Sequence, residues 1–170
     1  MVLRTAWSRE MSTITAEVRI RFQVADGIAT GNLIEAAVDR FGRLDVVFNN
    51  AGIMHVPKGQ TRDGFERHFG VNHLGTFALT ALLLDKLARR PGSRVVTTSS
   101  VAHLLSRINF DDLNAERGYQ RDARYGQSKL ANVFFTFELQ KRLTAAGCDT
   151  ITNTSHPGLV IGNLQSNIVE

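Results

Sequence analysis

Short apolar runs that end in small polar residues, separated by stretches of helical period, constrain this chain more than any other feature. Leu44–Phe48 (LDVVF) runs into Asn49-Asn50-Ala51-Gly52. Arg94–Ser100 (RVVTTSS) ends on paired serines, and Asp149–Ser155 ends at His156-Pro157-Gly158. A short apolar run bounded by turn residues is the pattern of a strand buried on both faces. Earlier, Val18, Ile20, Phe22 and Val24 alternate with Arg19, Arg21 and Gln23, the period of a half-buried strand.

Between these runs the period changes. Leu33, Ile34, Ala37, Val38 and Phe41 recur at helical spacing, and Gly42 stops that helix. A long helix is predicted over 61–90, from Thr61 to the Pro91-Gly92 turn, on the apolar pattern Phe65, Phe69, Leu74, Phe77 and Leu82. A second is predicted over 124–146, burying Leu130, Val133, Phe134 and Phe137 and ending near Gly147. Strand and helix in alternation imply an α/β fold with a parallel sheet and right-handed crossovers. Such sheets bind ligands outside the carboxyl ends of their strands. Asn49–Gly52, Ser99-Ser100 and Pro157-Gly158 therefore share one rim, with Tyr125 at the head of the intervening helix.

Composition sets limits on that picture. Hydrophobic residues make up 43% and charged residues 21%, ordinary for a globular chain, and 170 residues allow one domain with a sizeable core. The net charge is +4 and the pI about 9.7, but the arginines are scattered among acids. Arg89-Arg90 with Arg94 reads as a solvated helix end, and no nucleic-acid partner is expected. Cys148 is the single cysteine, which excludes an internal disulfide, fits a reducing compartment and reads as a buried or loop thiol. The N-terminus lacks an apolar signal core, and the greasy run Thr76–Leu84 is too short to span a bilayer. A cytoplasmic location with no membrane span is expected. The histidines show no metal-ligand spacing, so no metal is expected. Asp111-Asp112 reads as a solvated loop or helix-cap pair.

Tyr125 and Lys129 carry the chemistry. Four residues apart on one helix, they lie one turn from each other. A neighbouring ammonium favours the phenolate and lowers a phenol's pKa from about 10. The pair can then hold and release a proton. In isolation the same spacing also fits a solvated helix start, Asn49-Asn50 a strand-end turn, Ser99-Ser100 a strand end, and Asn72 a helix kink.

Together and in order, these pieces resemble the short-chain dehydrogenase/reductase superfamily. The matching residues are Asn49-Asn50-Ala51-Gly52, Asn72 in Val71-Asn72-His73-Leu74-Gly75, Ser100, Tyr125 with Lys129, and His156-Pro157-Gly158. Gly70–Gly75, Phe110–Leu113 and Gln127–Asn132 are similar to the retinol dehydrogenase-like branch, as is the long gap from Ser100 to Tyr125. The resemblance covers roughly residues 18–160. It implies an oxidoreductase that interconverts a small-molecule alcohol and a carbonyl with NAD or NADP. It implies catalytic roles for four residues. Tyr125 is the acid/base, Lys129 its pKa-lowering neighbour and a ribose ligand, Ser100 the carbonyl holder, and Asn72 the anchor of a proton-relaying water. Ser99 is the structural member of its pair. Cofactor contacts are implied at Asn49, Asn50, Ala51, Gly52, Tyr125, Lys129, Pro157 and Gly158.

The front of the chain departs from that family. Its glycine-rich turn, Thr-Gly-x-x-x-Gly-x-Gly, brings backbone amides to a cofactor pyrophosphate, and no such turn is found. Gly27 and Gly31, in Asp26–Gly31, lack the third glycine and lead into Leu44–Asn49, a placement that belongs to the family's third strand. Gln23 or Asp26 falls where that strand meets adenine. The expectation is one incomplete Rossmann-type doubly wound sheet over residues 1–170. It lacks the first two strands, with residues 1–15 poorly defined and 159–170 the start of a truncated substrate loop. Residues 18–24 would then pair with 45–48 or fray. A second reading stays open. In it the chain is an inactive fragment that associates, through the helices of 61–90 and 124–146, with a full-length relative or as a dimer.

Overall fold

The computed structural model describes residues 39–40, 42–88 and 90–158. The expected strand at 18–24, most of the helix that Gly42 was expected to stop, the Gly27–Gly31 stretch and residues 159–170 lie outside the described residues.

Three strands form a parallel sheet in the order β1 (Val46–Asn49), β2 (Arg94–Thr98), β3 (Ile151–Ser155). The register sets Phe48 beside Val96 and Val96 beside Asn153. Parallel neighbours require a crossover. Helix α1 (Gly75–Ala88) supplies it between β1 and β2, and helix α2 (Arg121–Ala145) between β2 and β3. The sequence places these strands to within two residues: β2 stops at Thr98, so Ser99 and Ser100 leave the sheet, and β1 is one residue later than expected at its end.

Both helices cover one sheet face. Thr76, Thr80, Leu83 and Leu87 form a single stripe on α1, and Asn132, Thr136, Leu139 and Leu143 do the same on α2. At the N-terminal ends of the strands these stripes close an apolar core of Val47, Leu83, Leu87, Val95, Leu139 and Leu143. Toward the C-terminal ends the interior turns polar. Asn49 Nδ2 donates to Thr80 Oγ1 at 2.9 Å and to Thr97 Oγ1 at 3.3 Å, and Thr152 Oγ1 donates to the Thr136 carbonyl at 2.8 Å. Alternate strand residues Val46, Phe48 and Ile151 stand exposed on the opposite face.

The first long helix differs from expectation at its start. Residues 60–66 form an antiparallel bridge, Gln60 to Glu66, closed by Thr61 N–H to the Phe65 carbonyl at 2.7 Å. The Glu66 carboxylate then accepts the N–H groups of His68 (2.9 Å) and Phe69 (2.8 Å), which fixes the helical start after Glu66 rather than at Thr61. A π-helical turn, Phe69–Leu74, precedes α1. Of the apolar pattern, Phe69 is buried, but Phe65, Phe77 and Leu82 are exposed. On α2, Phe134 and Phe137 are exposed while Leu130 and Val133 are half-buried. The helices turn their small polar and leucine stripe inward and Phe77, Phe134 and Phe137 out, while Phe135 packs against the core.

Residues 101–120 form two short 3₁₀ turns, Val101–Leu105 and Phe110–Asp112, folded over the head of α2. Asp112 corrects the expectation of a solvated acid. It is buried and paired with Arg124 Nη2 at 2.8 Å, while Arg124 also donates to the carbonyls of Asp112 and Gly118. Its carboxylate caps the backbone of Glu116 and Arg117, so the capping half of the expectation stands. Burial alone would raise its pKa; the N–H of Glu116, the Arg124 guanidinium and the N–H of Arg117 outweigh that and lower it.

Leu87 is fully enclosed between α1, β2 and the end of α2. Leu87→Ala is expected to lower the unfolding free energy by about 2–5 kcal/mol, read from the shift of a urea unfolding curve.

Candidate active site

The parallel register aligns the strand ends, with Asn49 beside Thr97 and Thr98 beside Ser155. The loops Asn50–Gly52, Ser99–Ser100 and His156–Gly158 therefore leave the sheet along one rim. Helix α2 begins at Arg121 and carries Tyr125 and Lys129 along that rim.

Lys129 is buried, and its Nζ lies 5.8 Å from the centre of the Tyr125 ring. The ammonium donates to the Thr98 carbonyl at 3.1 Å. Burial lowers its pKa to about 8, so at neutral pH it stays mostly charged beside the phenol. The half-buried Tyr125 makes no side-chain hydrogen bond among the described residues; its neighbours are the rings of His55 (6.2 Å) and His68 (6.1 Å). The phenol hydroxyl is thus left free beside a poorly solvated cation.

Ser100 is half-buried and caps the 101–105 turn, its Oγ accepting the Ala102 N–H at 3.3 Å. As an acceptor there, the hydroxyl keeps its own hydrogen available to donate. Ser99 turns inward instead, donating to the Lys129 carbonyl at 2.9 Å, and so binds the end of β2 to α2.

Asn72 is buried in the π-helical turn. Its amide nitrogen donates to the Ile53 carbonyl and to Ser128 Oγ, both at 2.9 Å, and its oxygen accepts the Ile53 N–H at 2.7 Å. One side chain thus joins the loop after β1 to α2. Gly52 is part of the same knot. A Cβ there would lie 3.0 Å from Asn72 Oδ1 and 3.4 Å from Lys129 Nζ.

The remaining sequence candidates divide. Asn50 is exposed on the rim, its Oδ1 accepting from Thr98 Oγ1 at 3.0 Å, and Ala51, Pro157 and Gly158 are exposed there as well. Asn49 turns the other way, its side chain buried against Thr80 and Thr97 as a clamp within the sheet. Among the described residues no three His, Cys, Asp or Glu side chains gather as a metal site. No helix among them is long and apolar enough to cross a membrane.

Several site residues were not singled out in the sequence. Gly126 lies under the Ser106 hydroxyl and 3.0 Å, by its built Cβ, from the Ala102 carbonyl, so the 101–105 turn rests on bare backbone. Gln127 Oε1 accepts the Asn109 N–H at 2.9 Å. His68 sits fully buried beside Tyr125, bonded through Nδ1 to Glu66 Oε1 at 3.0 Å. Its signal was available: it precedes Asn72 by four residues, the spacing that marks Tyr125 and Lys129.

A parallel sheet with a Tyr–Lys pair and an Asn-held turn along one rim defines a class, and comparison with known proteins gives the same one. Residues 5–170 match the family model described as short chain dehydrogenase, and the chain belongs to that family. It is 46% identical to retinol dehydrogenase 12 of Mus musculus over 79% of this chain and 43% of that protein. It is 51% identical to retinol dehydrogenase 14 of Homo sapiens (74% and 37%) and 51% identical to polyprenol dehydrogenase of Homo sapiens (69% and 37%). These relatives place it in the retinol dehydrogenase-like branch, and the chain spans less than half their length. Among solved structures, an uncharacterised protein from Mycobacterium Paratuberculosis matches with 45% identity and a TM-score of 0.72, over 91% of this chain and 56% of that one. A short chain dehydrogenase/reductase from Burkholderia phymatum, solved with NAD, matches with 25% identity and a TM-score of 0.59, over 81% and 46%.

Two variants test the geometry. Gly126→Ala pushes the 101–105 turn off α2 and is expected to destabilise the chain by about 1–3 kcal/mol, read by thermal unfolding. Lys129→Met removes a buried charge. The folded chain holds that proton less tightly than the unfolded chain, about 8 against 10.5. The penalty is complete below pH 8, shrinks as pH rises toward 10.5, and is absent above it. Lys129→Met is expected to stabilise the fold at pH 7 by up to about 3 kcal/mol and to leave it unchanged near pH 11, measured by urea unfolding at both values.

Proposed function

We propose that this chain carries the catalytic half of an NAD(P)-dependent oxidoreductase that interconverts a small-molecule alcohol and a carbonyl, with Tyr125 as acid and base. The observation that carries the reading is the uncommitted Tyr125 phenol beside the buried Lys129 ammonium, 5.8 Å from its ring. Residues 1–170 are read as a single Rossmann-type domain.

The rim fits the nicotinamide end of a dinucleotide. Gly52 has no side chain where one would crowd Asn72 and Lys129, and Lys129 spends one hydrogen bond on Thr98, leaving donors for ribose hydroxyls. Asn50, Ala51, Gly52, Pro157 and Gly158 would flank it. The cofactor supplies or accepts the hydride. In reduction, negative charge grows on the carbonyl oxygen. Ser100 donates a hydrogen bond to it, and Tyr125 delivers its proton there. The resulting phenolate is stabilised by the Lys129 ammonium. In oxidation the phenolate takes the alcohol proton. Asn72 acts as a positioning residue that sets the distance between the Gly52 turn and Lys129; its carbonyl and its side chain are already taken by protein partners. The names of the relatives support an isoprenoid alcohol as substrate, and exposed Leu104 and Leu105, next to Ser100, offer an apolar approach.

A second reading rests on the outward phenylalanines. Phe77, Leu82, Phe134 and Phe137 stand exposed on α1 and α2, which supports association of these two helices with a second copy or a full-length relative. Co-purification that survives Tyr125→Phe, without cofactor binding, would favour an association module.

The main test is fluorescence titration with NADH and NADPH, followed by turnover on retinol-like alcohols. Saturable binding is expected. Tyr125→Phe is expected to leave the cofactor Kd in place and cut turnover by about 10²–10⁴-fold. No saturation at millimolar cofactor would overturn the reading.

A further inference from the structure

Behind Tyr125 lies a buried polar cluster that the reaction described above does not use. His68 is fully enclosed, and Glu66 is nearly so. The Glu66 carboxylate accepts His68 Nδ1 at 3.0 Å, His68 N–H at 2.9 Å and Phe69 N–H at 2.8 Å. Burial alone would raise its pKa; the hydrogen bonds from His68 and Phe69 outweigh that and keep it low. Glu66 is therefore a carboxylate, and it fixes the imidazole as the tautomer with its proton on Nδ1. The other nitrogen, Nε2, is buried and makes no hydrogen bond among the described residues.

Buried polar atoms in folded proteins find partners, with ordered water serving where no protein group does. Two phenols border the imidazole. Tyr119 stacks on it at 6.4 Å; its hydroxyl donates to the Val56 carbonyl at 2.6 Å and lies 3.4 Å from His68 Nδ1, so it is engaged away from Nε2. Tyr125 meets it edge to face at 6.1 Å, and its hydroxyl is uncommitted. We propose that Glu66 and His68 form a second proton-holding pair of this site, with His68 Nε2 joined to the Tyr125 phenol through one bound water.

The catalytic meaning of the pair rests on the oxidoreductase reading. After Tyr125 gives its proton to the substrate oxygen, an imidazolium returns one from Nε2 through the water to the phenolate. His68 ends neutral, its Nδ1 proton still held by Glu66, and is recharged at Nε2 by a solvent proton that enters through the same water and the Tyr125 side of the site. In the oxidative direction the same path runs backwards. Lys129 faces the charge of the phenolate, and His68 returns its proton. The other titratable groups around this pair are Tyr119, His55 with its Asp122 partner at 3.1 Å, and Lys129, while Arg67, Arg121 and Arg124 act on Tyr119.

The chain has two tyrosines and five histidines, so labelled side chains are assignable. The full chain, carrying ¹⁵N-histidine and ¹³Cζ-tyrosine, is titrated by NMR alone and as Tyr125→Phe and His68→Gln. We expect Nδ1 of His68 to be the protonated nitrogen of the neutral ring. We also expect each group's titration midpoint to move by at least about half a unit when the other is replaced. A merely structural contact changes the chemical shifts at every pH and leaves the midpoints alone. Unmoved midpoints, with the Tyr119 signal showing a native environment, would overturn the inference. If His68→Gln does not fold, the midpoint of His68 in Tyr125→Phe decides by itself. No cofactor is needed, so reciprocal shifts without NAD(P)H binding would sink only the oxidoreductase reading. Cofactor binding without shifts would sink only this pair.

Discussion

The structure depends on the hydrogen-bond knot at Asn72. Its side chain binds both backbone groups of Ile53 and the Ser128 hydroxyl, and its carbonyl accepts Thr76 Oγ1 at 2.9 Å and Asn132 Nδ2 at 3.0 Å. The turn after β1, the start of α1 and the Tyr125–Lys129 stretch of α2 meet in one residue. A buried amide of this kind is costly if half satisfied and rigid if fully satisfied. Here it is satisfied on every side. Asn72 lies within the π-helical turn Phe69–Leu74.

Around that knot the interior is divided by chemistry. The end of the sheet away from the site is leucine and valine, held by area removed from water. The end at the site is Asn49, Thr76, Thr80, Thr97, Asn132 and Thr136, held by directed bonds. Small polar side chains let α1 and α2 lie close to the sheet exactly where backbone turns must converge, and directed bonds fix their mutual angle where an apolar contact would allow sliding. The Arg124–Asp112 pair extends this logic outward. It ties the 110–118 loop to the first turn of α2, so the helix that carries Tyr125 is fixed at its head.

Much of this was legible in the sequence because its signals are local. Strand runs ending in turn residues gave β1, β2 and β3, and the Tyr125–Lys129 spacing gave the pair. What was not legible depends on contacts distant in the chain. Period shows which residues share a helix face, but not whether that face or the opposite one meets the sheet; hence Phe134 and Phe137 were placed inside and lie outside. Thr61 looks like a helix start, yet Glu66 supplies the capping carboxylate five residues later. Asp112 reads as solvated until Arg124, twelve residues on, is seen to reach it. Asn49 matches a cofactor motif, but its alternation with Phe48 and Asn50 along β1 turns its side chain into the sheet.

Lys129 shows why the site needs such a frame. An ammonium can act on Tyr125 only if nothing nearby neutralises it, and among the described residues no carboxylate pairs with Lys129; desolvation is the cause of its depressed pKa. A partner acid would stabilise the charge and cancel its field at the phenol. The cost of burying this charge must therefore be resisted by neighbours that cannot move. Three of them are fixed by bonds already described: the Thr98 carbonyl by the sheet, the Gly52 turn by Asn72, and the Lys129 backbone by Ser99. The side chain is held in a poorly solvated place by parts of the fold that would have to break together to release it.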